Sequence, residues 1–225
     1  MRCRPEMMRL YAVTDRAWTK KKSLIEQVEE AICGGATCIQ LREKNLDEEA
    51  FLREAIEMQK LCETYQVPLI INDHVEIAKH CKAAGVHLGQ KDMEAGRARG
   101  ILGPKMILGV SARTVEQAVQ AERAGADYLG VAVLAEKMGA DYLGVGAVFQ
   151  TSTKTDAKEI SHAILKEICE SVNIPVVAIG GIGKQNIEAL AGSGIAGVAL
   201  VSVVFAAEDI EQECRGLLKQ IERIV

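Results

Sequence analysis

Short apolar runs alternate with amphipathic segments along this chain, and that alternation limits its fold more than any other feature. The runs are Leu10–Thr14, Thr37–Arg42, Val67–Ile71, Gly85–Leu88, Met106–Val110, Pro175–Ile179 and Gly197–Val201, and a further run leads into Thr151. They are continuous rather than alternating, as expected of strands buried on both faces of a parallel sheet. Between them the spacing predicts helices. Ser23–Ile32 carries Leu24, Ile25, Val28 and Ile32 at helical spacing and stops at Gly34-Gly35. Asp47–Tyr65, Val75–Cys81 and Glu94–Leu102 follow, then a helix capped by Thr114 with Gln117 three residues on. His162–Glu170, Lys184–Ala191 and Glu208–Ile224 complete the set. Eight strand–helix units predict an α/β chain folded as a (β/α)8 TIM barrel, one domain over 1–225. An open doubly wound sheet is the alternative. No G-x-G-x-x-G follows the first strand, which removes the usual dinucleotide argument.

The net charge of −4 gives no bias toward nucleic acid. No apolar run approaches the roughly 18 residues of a membrane span, and Met1-Arg2-Cys3-Arg4-Pro5 lacks the apolar centre of a signal peptide. The seven cysteines are scattered and form no C-x-x-C pair, so they read as reduced thiols of a cytoplasmic protein, with Cys33 and Cys38 packing as small apolar residues.

A tandem repeat interrupts the alternation. Residues 118–131 read AVQAERAGADYLGV and residues 132–145 read AVLAEKMGADYLGV, differing at three positions. Both copies cannot be neighbouring parallel strands, because a parallel crossover needs about a dozen residues or more. The second copy runs directly into Gly146–Lys154. It is therefore expected to be strand 6. The first copy is then the extra material, and the excess before the strand loops out, extends the Thr114 helix, or forms an irregular excursion with a short helix near Val133–Lys137.

In a parallel barrel the strand C-termini form the functional face. Collected there are Gln40, Arg42 and Lys44; Asn72 and Asp73; Gln90 and Asp92; Ser111; Thr151, Ser152, Thr153 and Lys154; Gly180 and Gly181; and Ser202. The cations and hydroxyls suit phosphate oxygens, and Gly180-Gly181 offers backbone amides. Asp73 and Asp92 suit a hard divalent cation such as Mg2+. Plainer readings stand beside these. Arg42 and Glu43 would make a surface ion pair, Asp73 and Asp92 would cap the helices that follow them, and Ser111 and Ser202 would be strand-end hydroxyls. His87, inside an apolar run, reads as a hydrogen-bonded core histidine.

Taken together, Leu10–Asp15, Gln40-Leu41-Arg42-Glu43-Lys44, Ile71-Asn72-Asp73, Gly85–Gln90 with Asp92, Gly109-Val110-Ser111, Thr151-Ser152-Thr153-Lys154 and Ala178–Ile182 resemble the thiamine-phosphate synthase family. The resemblance implies a (β/α)8 barrel that joins hydroxymethylpyrimidine diphosphate to thiazole phosphate with Mg2+, releasing pyrophosphate. Carried over, it puts Gln40, Leu41, Arg42, Glu43, Lys44 and Asn72 on the pyrimidine diphosphate and Asp73 and Asp92 on the metal. It puts Ser111 and Lys154 on the pyrimidine substrate or its leaving group. Thr151, Ser152, Thr153, Gly181, Val201 and Ser202 line the thiazole-phosphate side. Arg42, Lys44, Ser111 and Lys154 are the implied catalytic groups. The implied partners are these small molecules, with no nucleic acid and no membrane; the oligomeric state is open, a homodimer included. Gln150 stands where the family commonly has Pro. Two rivals remain at this point. One is a thiazole tautomerase-like barrel, which resembles the family but places a histidine where this chain has Arg113. The other is a non-catalytic phosphate-ligand-binding protein whose turnover the repeat has abolished.

Overall fold

The computed structural model describes residues 3–19, 22–132 and 161–225. Eight parallel strands close into a barrel in chain order. They are β1 (Leu10–Val13), β2 (Cys38–Leu41), β3 (Leu69–Asn72), β4 (Gly85–Leu88), β5 (Ile107–Ala112), β6 (Tyr128–Ala132), β7 (Val176–Ile179) and β8 (Gly197–Leu200). Pairing of β1 with β8, Tyr11 opposite Ala199, seals the ring. Around it lie α1 (Leu24–Cys33), α2 (Glu48–Thr64), α3 (Val75–His80), α4 (Ala95–Leu102), α5 (Val115–Arg123), α6 (His162–Ser171), α7 (Ser202–Phe205) and α8 (Ile210–Ile221).

Local chemistry sets the helix boundaries. Ser23 accepts from the Glu26 amide while Glu26 reaches back to Ser23, so a full capping box starts α1. Asp47, Thr114, Ser161 and Asp209 each accept an amide hydrogen bond at the start of α2, α5, α6 and α8. The expected helix Lys184–Ala191 is instead a 3-10 turn, Ile187–Leu190. The Asn186 carboxamide bonds the Gly183 amide and the Gly181 carbonyl, which favours a turn over a helix start. Cys33 is exposed at the end of α1, whereas Cys38 is buried in β2 as expected; all seven cysteines are free.

Side chains divide into two cores. Ile39, Leu41, Leu69, Ile71, Val86, Leu129 and Val198 point outward and pack with the helices. Tyr11, Val13, Cys38, Ile70, Ile107, Tyr128, Val177 and Ala199 fill the barrel, closed from below by Cys3 and Met8. Size is balanced across this interior. A Cβ on Gly109 would lie 2.1 Å from the Tyr128 ring, and a Cβ on Gly130 would lie 2.9 Å from His87 Cε1. The large rings on β6 and β4 thus occupy space that glycines on β5 and β6 leave open.

The identity of β6 corrects the expectation about the repeat. The first copy supplies the strand, with Tyr128 opposite Gly109 on β5 and Leu129 opposite Val176 on β7. The excess therefore follows β6 in the chain; past Ala132, its first residue and the last of β6, the second copy lies outside the described residues. The copies carry the same strand residues, so strand contacts cannot choose between them. Helix α5 can. Its cap, Thr114, and its buried residues Ala118 and Ala121 form one continuous helix only with the first copy, and starting a second helix carries the cost of nucleation. The exit from α5 is equally short. The amide of Ala124 bonds the Gln120 carbonyl, and Gly125 turns the chain at φ +95°. Asp127 then accepts from Arg99 at 2.5 Å and from the Leu108 amide at 2.9 Å, fixing β6 against β5.

Gly109→Ala is expected to destabilise the protein by about 1–3 kcal/mol, the usual cost of overpacking a filled core, because the added methyl meets the fixed Tyr128 ring. Urea unfolding of the two proteins checks this, and an unchanged midpoint contradicts it.

Candidate active site

The C-terminal ends of β2 to β5 carry most of the polar residues singled out in the sequence. Gln40 ends the inward row of β2; it is 6% exposed and donates from Nε2 to the Tyr11 hydroxyl at 2.8 Å. Arg42 lies just beyond, its amide bonded to Thr14 Oγ1 at 3.0 Å and its guanidinium 3.7 Å from Asp15. The surface pair with Glu43 does not form. Glu43 turns inward, where Arg16 binds it at 2.8 Å and also holds Glu54 at 2.5 Å. Burial, only partly offset by Arg16, raises the Glu43 carboxyl above its ordinary value. Glu43 thus anchors the loop after β1 through Arg16. Leu41 is also corrected: its side chain is fully buried in the helix-facing core, on the opposite side of β2 from Gln40.

Asp73 follows β3 in the left-handed region at φ +66°. An aspartate tolerates that conformation better than most residues, and such backbone concentrates at functional sites. Its amide bonds the His87 carbonyl at 2.8 Å, and its carboxylate takes the Lys44 ammonium at 2.6 Å. It does not cap α3, whose first flanking residue is His74. Asp92 likewise caps nothing: Glu94 takes that role for α4, and Asp92 accepts from the Gly89 amide at 2.7 Å. Partial burial, followed by its hydrogen bond with Asp73, raises the Asp92 carboxyl above the ordinary range. The topology has brought two carboxylates from β3 and β4 together, with Lys44 bound to Asp73 and lowering the charge cost at Asp92.

Asn72 is buried at the end of β3. Ser111 is half-buried near the end of β5; His87 Nε2 lies 3.0 Å from its hydroxyl, and Gln90 Nε2 donates to its carbonyl at 2.5 Å. His87 is held as expected, with Nδ1 2.9 Å from the Tyr128 hydroxyl. On the far rim Gly180 and Gly181 both take positive φ, +107° and +60°, and Val201 and Ser202 lead into α7. Thr151, Ser152, Thr153 and Lys154 lie outside the described residues. The sequence reading passed over Tyr11 and Tyr128, which join Gln40 to His87 inside the barrel. A tyrosine at an inward position of a strand that faces glycine across the ladder was the available signal.

The model of one family, described as thiamine monophosphate synthase, matches residues 10–134 and 132–204. The chain belongs to the thiamine-phosphate synthase family. The two matched stretches meet at residues 132–134, where the second copy of the repeat begins. A thiamine-phosphate synthase of Clostridium tetani is 45% identical over 208 residues, 92% of this chain and 93% of its own. Thiamine-phosphate synthase 2 of Streptococcus pneumoniae is 43% identical, covering 98% of both chains. Among solved structures, thiamine phosphate pyrophosphorylase from Pyrococcus furiosus superposes with a TM-score of 0.82 at 35% identity over 98% of each chain. No helix among the described residues is long and apolar enough to cross a membrane.

The raised Asp92 carboxyl has a sign that can be measured. In metal-free protein at neutral pH, the charged form is disfavoured by the fold, so Asp92→Asn is expected to raise Tm by up to a few degrees. The gain should vanish as pH falls below the ordinary aspartate range, where wild-type Asp92 is neutral in both states. Melting curves across pH check this; a lowered Tm at neutral pH contradicts it.

Proposed function

We propose that this chain joins 4-amino-2-methyl-5-hydroxymethylpyrimidine diphosphate to thiazole phosphate, giving thiamine phosphate and pyrophosphate. Family membership supports the reaction class. The observation that carries the reading for this chain is the pairing of Asp73 with Asp92 beside Lys44, within a mouth also edged by Gln40, Arg42, Asn72 and Ser111.

The donor set fits Mg2+. Asp73 helps to raise the Asp92 carboxyl above its ordinary value, and Lys44 lies beside both. A hard cation that takes one or two carboxylates and completes its shell with phosphate oxygens and water would relieve that repulsion. Asp73 and Asp92 would hold it, and it would supply positive charge to the departing diphosphate.

The remaining work falls to the chain. Arg42 and Lys44 offer fixed positive charge to the leaving pyrophosphate as the CH2–O bond breaks, and such preorganised groups need little rearrangement during the reaction. The bond electrons leave with pyrophosphate, and the pyrimidine amino group stabilises the methylene cation left behind. Gln40, Asn72 and Ser111 orient the pyrimidine. The thiazole nitrogen then attacks the methylene carbon, with Gly181, Val201 and Ser202 holding its phosphate in near-attack geometry. Thr151, Ser152, Thr153 and Lys154 complete the phosphate contacts in this reading. Seven free thiols support a reducing, cytoplasmic setting for the work.

A coupling assay with the two phosphorylated substrates and Mg2+ tests the proposal: thiamine phosphate and pyrophosphate should appear in equal amounts. Absence of product from folded protein overturns it. Asp73→Asn removes one charge from the cation site and is expected to move the Mg2+ midpoint of activity upward about tenfold or more. An unmoved midpoint would remove Asp73 from the metal site.

A further inference from the structure

The barrel interior holds a row of polar side chains whose inner members, Tyr11, Tyr128 and His87, have no part in the reaction as set out above. Gln40 Nε2 donates to the Tyr11 hydroxyl at 2.8 Å. The Tyr11 and Tyr128 hydroxyls are 2.8 Å apart. Tyr128 lies 2.9 Å from His87 Nδ1, and His87 Nε2 lies 3.0 Å from Ser111 Oγ. Both tyrosines are almost wholly buried, at 1% and 0% exposure. Burial is the leading reason that both phenols are held well above their ordinary range, so each stays neutral and keeps one proton.

Proton counting then gives the row a direction. A phenol has one proton to donate, and a neutral imidazole has one donor and one acceptor nitrogen. With Gln40 donating to Tyr11, the relay assigns the Tyr11 proton to Tyr128 rather than to the Cys38 thiol, the other acceptor beside it. The Tyr128 proton goes to His87 Nδ1, which leaves the imidazole proton on Nε2, pointed at Ser111 Oγ. Ser111 accepts that bond, and its own proton is left for the barrel mouth. The backbone is shaped for this row: Gly109 leaves room for the Tyr128 ring and Gly130 for the His87 ring.

We infer that Tyr11, Tyr128 and His87 form a polarised relay that fixes Ser111 as an outward hydrogen-bond donor and leaves the Gln40 carbonyl oxygen as an outward acceptor. The three are positioning residues, acting through Ser111 and Gln40. This rests on the reading of Ser111 and Gln40 as substrate contacts. The relay selects ligands with an acceptor toward Ser111 and a donor toward Gln40, and it penalises the reversed pattern, because a buried polar group facing its own kind is left unsatisfied.

Nitrogen NMR of histidine-labelled wild-type protein tests the direction without any assay of turnover. The His87 resonances should show a bare Nδ1 and a protonated Nε2; the opposite tautomer overturns the relay. Tyr128→Phe deletes one oxygen and is expected to lower kcat/KM about tenfold, the scale of one buried hydrogen bond. In the Ser111→Ala background the same change should cost less than about twofold, since residues acting through one another are not additive. Full additivity would show that Tyr128 serves only packing and would also overturn the proposal. If the wild-type protein makes no thiamine phosphate, the functional reading fails, and the tautomer alone still decides the relay.

Discussion

Much of this structure depends on how Tyr128 sits inside the barrel. Its ring takes the space that Gly109 leaves open, and its edge meets the Tyr11 ring with centroids 5.9 Å apart. The hydroxyl bonds both Tyr11 and His87. Buried aromatic side chains bring large apolar area but need a partner for the polar end. Here those partners are one another, so filling the core and ordering the polar row above it are one act of packing. The strands that meet around this ring, β1, β4, β5 and β6, are also those whose ends carry Asp15, Asp92 and Ser111.

The site at the mouth is assembled by backbone as much as by side chains. Asp73 reaches the site from a left-handed residue whose amide is tied to β4. Asp92 is folded back onto the Gly89 amide of the same loop. Neither carboxylate caps a helix, since His74 and Glu94 occupy those positions. Two acids are thus kept close at a cost in repulsion that nothing in the packing requires. Perturbed carboxylates gathered at strand ends in this way are a feature of functional sites.

The fold was legible because seven of the eight strands are apolar runs bounded by turn residues, and their order follows from strand–helix alternation. Much of the site was legible because strand ends converge in a barrel, which gathers Gln40, Arg42, Lys44, Asp73, Asp92 and Ser111 from separate segments. What the sequence hid was orientation. In a strand buried on both faces, polarity does not say which side looks inward, so Leu41 was read with the site although it packs outward. Glu43 was misread for a similar reason, since its partner Arg16 comes from another loop that periodicity cannot place beside it. The choice of copy for β6 failed because it was argued from where Lys154 is needed. The continuity of α5 with its cap was the stronger constraint.

The repeat has one more consequence. Gly125, Asp127, Tyr128 and Gly130, which turn into β6, tie it to Arg99 and shape the interior, all recur in the second copy as Gly139, Asp141, Tyr142 and Gly144. The three differences between the copies fall at Gln120, Arg123 and Ala124, all before the strand. Recombination between the copies would therefore remove one of them wherever the crossover fell and join the same strand to Gly146. Loss of either copy therefore leaves a chain 14 residues shorter that still carries the β6 sequence.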